Sequence, residues 1–402
     1  MSIATVEVPT APDRTRMQRD RWARLRSVMA EQGVDAMILL GNSNVAYATG
    51  ATWPLADPGR ANVDRPVAVF TAEDTPPHLF CADADIDVDL PADHVHGPVF
   101  VEFDEGAQHF GRILSELLPD EGRLAVDELP GSMQRTLELF FPGSEPVSAD
   151  EVVGPAKLIK TPDELGFMRQ ALEITEKAIA PVQAALAPGV RQTDLTATFL
   201  QAAFDLGADA NILDPIWQVM PKELAAGPWT THGDIACPLL STERELEKGD
   251  VLWVDTGISY AGFASDFGRT WLVGAEPTAR QKVQYQGWRR IIDAVLAVTR
   301  AGATGSDLTR AALDACDGRK PWMHHFYLGH GLGIESAESP FIGTDLGDSY
   351  DRRQTLMPGM VVVLEPLIWD DGAAGYRSEE VIVVTDDGYI SLTDYPYDPY
   401  GD

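Results

Sequence analysis

Residues 251–272 read VLWVDTGISYAGFASDFGRTWL. Apolar, β-branched and aromatic residues flank two aspartates, with glycines at 257 and 262 between them. The pattern predicts a hairpin: a strand over 251–256, a Gly-rich turn, and a second strand over 264–273. In that geometry Asp255 and Asp266 face one another across the two strands. Apolar strands bury what they carry, and a buried carboxylate is costly unless it is paired or bound to a cation. Two of them face to face repel strongly without one. A single such aspartate is usually a structural hydrogen-bond acceptor, but three more residues occupy similar settings further on. They are His330 in LGHGLG (328–333), Glu365 in VVVLEPL (361–367) and Glu379 in YRSEEVIVVT (376–385). Four carboxylates and a neutral imidazole carry −4, which two divalent ions cancel. Hard oxygen donors with one imidazole favour Mn, Fe, Co or Zn over a thiolate-seeking metal.

Upstream of the hairpin, KLIKTPDELGFMRQALEITEKAIAPVQAALAPGV opens on Thr161-Pro162-Asp163-Glu164, a helix start with proline in the first turn and acids behind it. Phe167, Ala171, Ile174, Ala178 and Val182 then recur at helical spacing, and Pro188-Gly189 ends the segment. A second helix starts at Thr193-Asp194, with Leu195, Phe199, Leu200 and Phe204 on its apolar face. From about 211 strands dominate, interrupted by helices near 278–300 and 306–316. Before residue 150 the chain alternates helix and strand: a helix over 13–33 with Met17, Trp22, Leu25, Val28 and Met29 on one side, a buried strand at 36–40, and a turn leading to a short helix. Strands at 66–70 and 77–82, a helix around 105–118 and a strand at 123–129 follow. The expected division is an α/β domain over 1–152 and a catalytic domain over 153–402.

The bulk numbers narrow the function. The 402 residues suffice for two domains with substantial cores. A net charge of −31 makes nucleic acid an unsuitable partner, because phosphate binding needs basic patches. The same charge serves solubility or a salt-rich setting, and its field could also attract a cationic substrate. No apolar run is long enough to span a bilayer, and the leader MSIATVEVPTAPDRTRMQRDRW lacks the apolar core of a signal peptide, so the expected location is the cytoplasm. Three cysteines (Cys81, Cys237, Cys316), odd in number and widely separated, imply no disulfide framework. The acidic run CADADIDVDLPADH (81–94) reads as a solvated strand edge; it lacks the glycine and the terminal glutamate of a calcium loop.

The order Asp255, Asp266, a GHGLG histidine, a glutamate in an LEP turn and a glutamate in RSEEVIVVTDDG resembles the metallopeptidase family of methionine aminopeptidase, prolidase and aminopeptidase P. VDAMILLGNSNVAYATG is similar to the N-terminal domain of its prolidase and creatinase branch. The resemblance implies an α+β fold: a C-terminal pita-bread domain preceded by a smaller, creatinase-like α/β domain. It implies that Asp255, Asp266, His330, Glu365 and Glu379 ligate two divalent ions, and that a hydroxide bridging them attacks an amide. Glu365 would shuttle the proton between nucleophile and leaving group. Glu379 is favoured over Glu380 by its spacing to Thr385, and strand alternation turns only one of the two inward. Arg377 matches a family arginine that stays close to the cluster. The resemblance also implies a homodimer, with Trp53 and the loop at 54–60 as candidates for a lid over the partner's site.

Two family histidines have no counterpart. Ala337 stands where the second is expected, although Glu338 and Pro340 of the same motif remain, which makes Glu338 a candidate catalytic residue. Cys237 or its neighbours occupy the other position, and His232 is the nearest residue that could replace it. Trp322, His324, His325 and Tyr327 could rebuild the pocket, and an aromatic lining would suit a quaternary ammonium or sulfonium group. The leading reading is a metal-dependent hydrolase cleaving an amide or C–N bond in a dipeptide or small amino-acid derivative. The alternatives are an ectoine- or creatine-type amidohydrolase, and a lyase of the dimethylsulfoniopropionate type using one iron-like ion. A non-enzymatic binding protein is disfavoured, because it would be expected to lose ligands.

Overall fold

The computed structural model describes residues 6–51, 65–82, 88–223, 241–323 and 326–401. The chain forms two compact units, one of Ala11–Asp163 and one that joins the residues up to Thr10 with those from Glu164 onward. In the first, α1 (Arg14–Gln32) leads to β1 (Ala36–Leu39), α2 (Asn42–Thr49), β2 (Val67–Thr71), β3 (His78–Phe80) and β4 (Val95–His96). Then come α3 (Asp104–Leu117), β5 (Arg123–Val126), α4 (Gly131–Phe140), β6 (Glu145–Ser148) and α5 (Asp150–Leu158). The strands make one mixed sheet in the order β4-β3-β2-β1-β5-β6. Every residue of β1 is buried, as expected of a central strand covered on both faces. Ile38, Val69 and Phe80 pack on Phe110 and Leu114 of α3 and Met133 of α4. The division expected at residue 152 falls inside α5, where Val152, Val153 and Ala156 are buried.

At the sheet edge three histidines gather. His78 Nδ1 lies 2.9 Å from His96 Nε2, and the rings of His78 and His94 stack at 4.1 Å. Burial first, then the neighbouring His94 and His96, lower the pKa of His78 to about 4, with Asp93 pulling weakly the other way. A histidine with a depressed folded pKa binds fewer protons than the unfolded chain between that value and the ordinary histidine value of 6.5. Its contribution to stability is therefore lost as pH falls through that window. Thermal unfolding from pH 7 to 4.5 is expected to show a falling midpoint that His78→Phe flattens; an unchanged slope would remove this account.

The second unit opens with α6 (Pro162–Ala185) and α7 (Gln192–Asp205), followed by β7 (Ala210–Val219), β8 (Val251–Tyr260), β9 (Phe263–Ala264) and β10 (Phe267–Leu272). Next come α8 (Ala279–Val298), α9 (Gly305–Ala315), β11 (Gly329–Gly331) and β12 (Glu338–Ile342). After α10 (Asp348–Asp351) the chain ends in β13 (Val361–Leu364), β14 (Leu367–Trp369), β15 (Gly375–Arg377), β16 (Glu380–Val384) and β17 (Tyr389–Ser391). One sheet runs β10-β8-β7 with β9 beside β8, another β12-β11-β13-β16-β17, and β14 pairs β15. Helices α6 and α7 cover the first sheet, where Ala171, Ile179, Leu195 and Phe199 meet Trp217, Val254, Phe267 and Trp271. Phe204 does not share that face: it is 50% exposed, near the helix end where the apolar stripe has turned away from the sheet. Among the described residues no helix is long and apolar enough to cross a membrane.

The hairpin also differs from expectation. Strand β8 runs on through Gly257 to Tyr260, and the turn lies at Ala261 and Gly262, both with positive φ. Gly257 serves a close approach, since a Cβ there would lie 2.2 Å from the Ser265 carbonyl oxygen.

Candidate metal centre

Strand register builds the floor of the site. Asp255 of β8 pairs with Gly268 of β10, and Phe267 pairs with Thr256. Asp266, just before β10, is thus a diagonal neighbour of Asp255 on the same face. Ser265 interrupts the ladder there: its N–H donates to the Ile258 carbonyl at 2.9 Å, and its Oγ accepts the Ile258 N–H at 2.9 Å. The wall comes from the other sheet. His330 pairs with Val363, and the Glu365 N–H donates to the Leu328 carbonyl at 3.0 Å. Between β15 and β16 the Glu379 N–H donates to Gly268 O at 3.1 Å, which ties the two sheets together.

Asp255, Asp266 and Glu379 each offer an oxygen within 4.8 Å of the others'. His330 Nε2 lies 3.3 Å from Asp266 Oδ2 and 3.4 Å from Glu365 Oε1. The other ring nitrogen, Nδ1, sits 2.8 Å from the Gly331 carbonyl. A carbonyl only accepts, so Nδ1 carries a proton, and a ring protonated there alone presents a lone pair at Nε2. None of the five is more than 8% exposed.

The electrostatics of the site suit a bound cation. Burial, then Asp255 and Glu365, push the Asp266 pKa well above the usual carboxylate range. Burial drives Glu379 up as well, against the opposing pull of Arg377, and burial raises Glu365. Asp255 Oδ1 and both Glu379 oxygens are buried without a hydrogen bond of good geometry, although Arg377 lies against Glu379 Oε1. Buried polar atoms are normally satisfied. Orphaned carboxylate oxygens converging on a histidine lone pair fit hard divalent ions.

Arg377 lies inside the cluster. Its Nη1 is 3.0 Å from Asp255 Oδ2, its Nη2 contacts Glu365 Oε2 and Glu379 Oε1, and its Nε donates to Glu365 Oε2 at 3.2 Å. Burial opposes its charge, but Glu379, Asp255 and Glu365 outweigh it and hold the guanidinium protonated. The charge count read from the sequence omitted this residue, which reduces the protein's charge at the site from −4 to −3.

The remaining candidates are placed as follows. Glu380 turns away and accepts from Thr393 Oγ1 at 3.1 Å. Glu338 is buried at the start of β12 opposite Gly331, outside the three-carboxylate group. It lies against Gly333, where a Cβ would meet Glu338 Oε1 at 2.4 Å. Tyr327 stands edge-on to His330 with ring centroids 4.9 Å apart. Burial and then Glu365 and Asp266 raise its phenol pKa, so the hydroxyl stays a donor. Trp322 is a structural member instead, its indole N–H donating to the Gly343 carbonyl. His232, Cys237, His324, His325, Trp53 and the 54–60 loop lie outside the described residues. Sequence reasoning missed Trp253, Gly268 and Thr270, which support Arg377; the alternation of Trp253 with Asp255 along β8 was the available signal.

The sequence model of metallopeptidase family M24 matches residues 166–386, and that of the creatinase/prolidase N-terminal domain matches residues 21–156. The chain is 26% identical to the uncharacterized peptidase YqhT of Bacillus subtilis, over 93% of this chain and 97% of that protein. It is 26% identical to the Xaa-Pro dipeptidase of Pyrococcus furiosus, over 93% and 98%. The prolidase structure from Pyrococcus horikoshii OT3 superposes with a TM-score of 0.72 at 23% identity, covering 94% of this chain and 99% of that one. The fold is that of the two-domain prolidases, a creatinase-like N-terminal domain followed by a pita-bread domain. On the match across residues 166–386, the chain belongs to metallopeptidase family M24.

Proposed function

We propose that this metallohydrolase is a dipeptidase of the Xaa-Pro type. The observation that carries the reading is the convergence of Asp255, Asp266 and Glu379 within 4.8 Å, beside the Nε2 lone pair of His330. Asp255, Asp266, His330, Glu365 and Glu379 would hold two divalent ions of Mn, Co, Zn or Fe. When bound, such ions acidify water and polarise the scissile carbonyl.

The protein's own groups then have defined tasks. Glu365 Oε1 faces into the site while Oε2 is held by Arg377, so Oε1 takes the nucleophile's proton and returns it to the departing amine. Arg377 keeps the carboxylates apart and oriented. Tyr327, edge-on to His330, and Glu338, beside Gly333, are proposed to contact the substrate, and His232 is proposed as a further contact. Low exposure of the whole set excludes bulk water and strengthens each of these interactions. The relatives' activity does not favour the lyase alternative. We further propose a cytoplasmic homodimer, to be checked by light scattering on a sizing column.

Hydrolysis of Xaa-Pro dipeptides is expected with Mn2+ or Co2+, to vanish with EDTA and to return on adding metal. Metal-loaded protein that leaves every dipeptide intact while opening ectoine or creatine would overturn the substrate assignment.

A further inference from the structure

We propose that Trp253 is a positioning residue for Arg377. Its indole face, with Thr270 and Gly268 across the sheet, forms the seat that holds the guanidinium among the carboxylates. The inference rests on the metal-site reading above and adds a residue to it.

The register makes the seat. Trp253 pairs with Thr270 and Asp255 with Gly268 on adjacent strands. Residues two apart on a strand share a face, and directly paired residues share it too. Two consecutive cross-strand pairs therefore lie side by side beneath the site. Arg377 is fixed to this platform at both ends. At its backbone, the N–H donates to Thr270 Oγ1 at 2.9 Å, and the Thr270 hydroxyl donates back to the Arg377 carbonyl. At its head, the guanidinium carbon lies 4.6 Å from the Trp253 ring centroid, within cation–π range. Between the two ends there is room only because residue 268 is glycine. A Cβ there would come within 2.8 Å of Arg377 Nη1 and 2.5 Å of Glu379 Cδ.

Trp253 also touches the carboxylate on its own strand, since its Nε1–H points at Asp255 Oδ2 over a long 3.4 Å. A tryptophan that merely filled the core would need only apolar neighbours. This one presents its π face to the cation and its N–H to the anion of a single ion pair. A flat aromatic face also matches the planar guanidinium in a way an aliphatic side chain cannot. Held there, Arg377 sets the spacing of Asp255, Glu365 and Glu379 before any metal arrives. Outer groups that orient ligands typically account for a roughly 10–100-fold change in metal affinity.

The test compares Trp253→Leu with Trp253→Phe. Mn2+ affinity is measured by calorimetry and the Co2+ absorption spectrum is recorded. Trp253→Leu is expected to weaken binding about tenfold or more and to change the Co2+ spectrum. Trp253→Phe, which keeps an aromatic face, is expected to restore both nearly to wild type. Unaltered affinity and spectrum in Trp253→Leu, or equal damage in the two variants, would overturn the proposal. A wild-type chain that bound neither ion would instead overturn the metal-site reading. The seat is then decided in metal-free protein by a cycle of Trp253→Leu and Arg377→Lys read by urea unfolding. Coupled effects support the seat, and additive effects remove it.

Discussion

Replacing Arg377 with methionine is expected to lower the unfolding free energy of the metal-free protein by about 3–5 kcal/mol, as when one partner of a buried ion pair is removed. Divalent metal should restore much of that loss. The size follows from geometry: one guanidinium touches Asp255, Glu365 and Glu379, and all four residues are almost fully buried. Methionine fills a similar volume, so a cavity is not the main loss. Four buried carboxylates are left with no counter-charge.

The same prediction carries a pH signature. Asp266, Glu365 and Glu379 have folded pKa values raised above the ordinary carboxylate values of 3.8 and 4.5. Above the ordinary carboxylate range the folded state therefore binds more protons than the unfolded one, and stability from these groups falls as pH rises. Removing the arginine strengthens that trend, so the loss should be larger at pH 8 than at pH 5.5 in EDTA. Urea unfolding at the two values checks it; an equal loss at both would show that Arg377 acts through packing and not charge.

How much of this was legible in the sequence differs by element. The long helices were, because apolar residues at helical spacing and clear start signals mark them; the expected 278–300 and 306–316 correspond to α8 and α9. The hairpin was legible as a hairpin but not in register. Gly257 looks like a turn residue in the sequence, and only the approach of the Ser265 carbonyl shows why a strand needs glycine there. The gathering of Asp255, Asp266 and Glu379 was legible because buried acids in apolar strands demand a shared explanation. The support of Arg377 was not. Trp253 and Thr270 lie on different strands, and Arg377 lies more than a hundred residues beyond Thr270. Beyond the alternation of Trp253 with Asp255, no local pattern links them. The same limit applied to the charge count, which was taken over candidate ligands alone and so missed the cation placed among them.

Asp266→Asn is expected to change metal binding and metal-free stability in opposite directions. Asp266 supplies one of the three converging oxygens and contacts His330 Nε2 at 3.3 Å. An uncharged amide cannot replace it, so Mn2+ affinity should fall by more than the roughly 10–100-fold typical of losing an outer partner, and dipeptide hydrolysis with it. In metal-free protein the same change removes a buried charge whose ionisation is opposed by burial and by Asp255 and Glu365. Stability in EDTA at pH 8 should therefore rise. A structural acid behaves in the opposite sense. Asp307 caps α9 by accepting the Thr304 N–H at 2.9 Å, and its pKa is lowered by that bond first, so Asp307→Ala should cost about 1 kcal/mol and leave metal binding intact. Calorimetric metal titration and chemical unfolding on the two variants separate the cases. A residue that costs stability when empty and is indispensable when loaded is held for its ligand. If Asp266→Asn instead destabilised the metal-free chain, the carboxylate would be a structural acceptor, and the centre would have to be rebuilt without it.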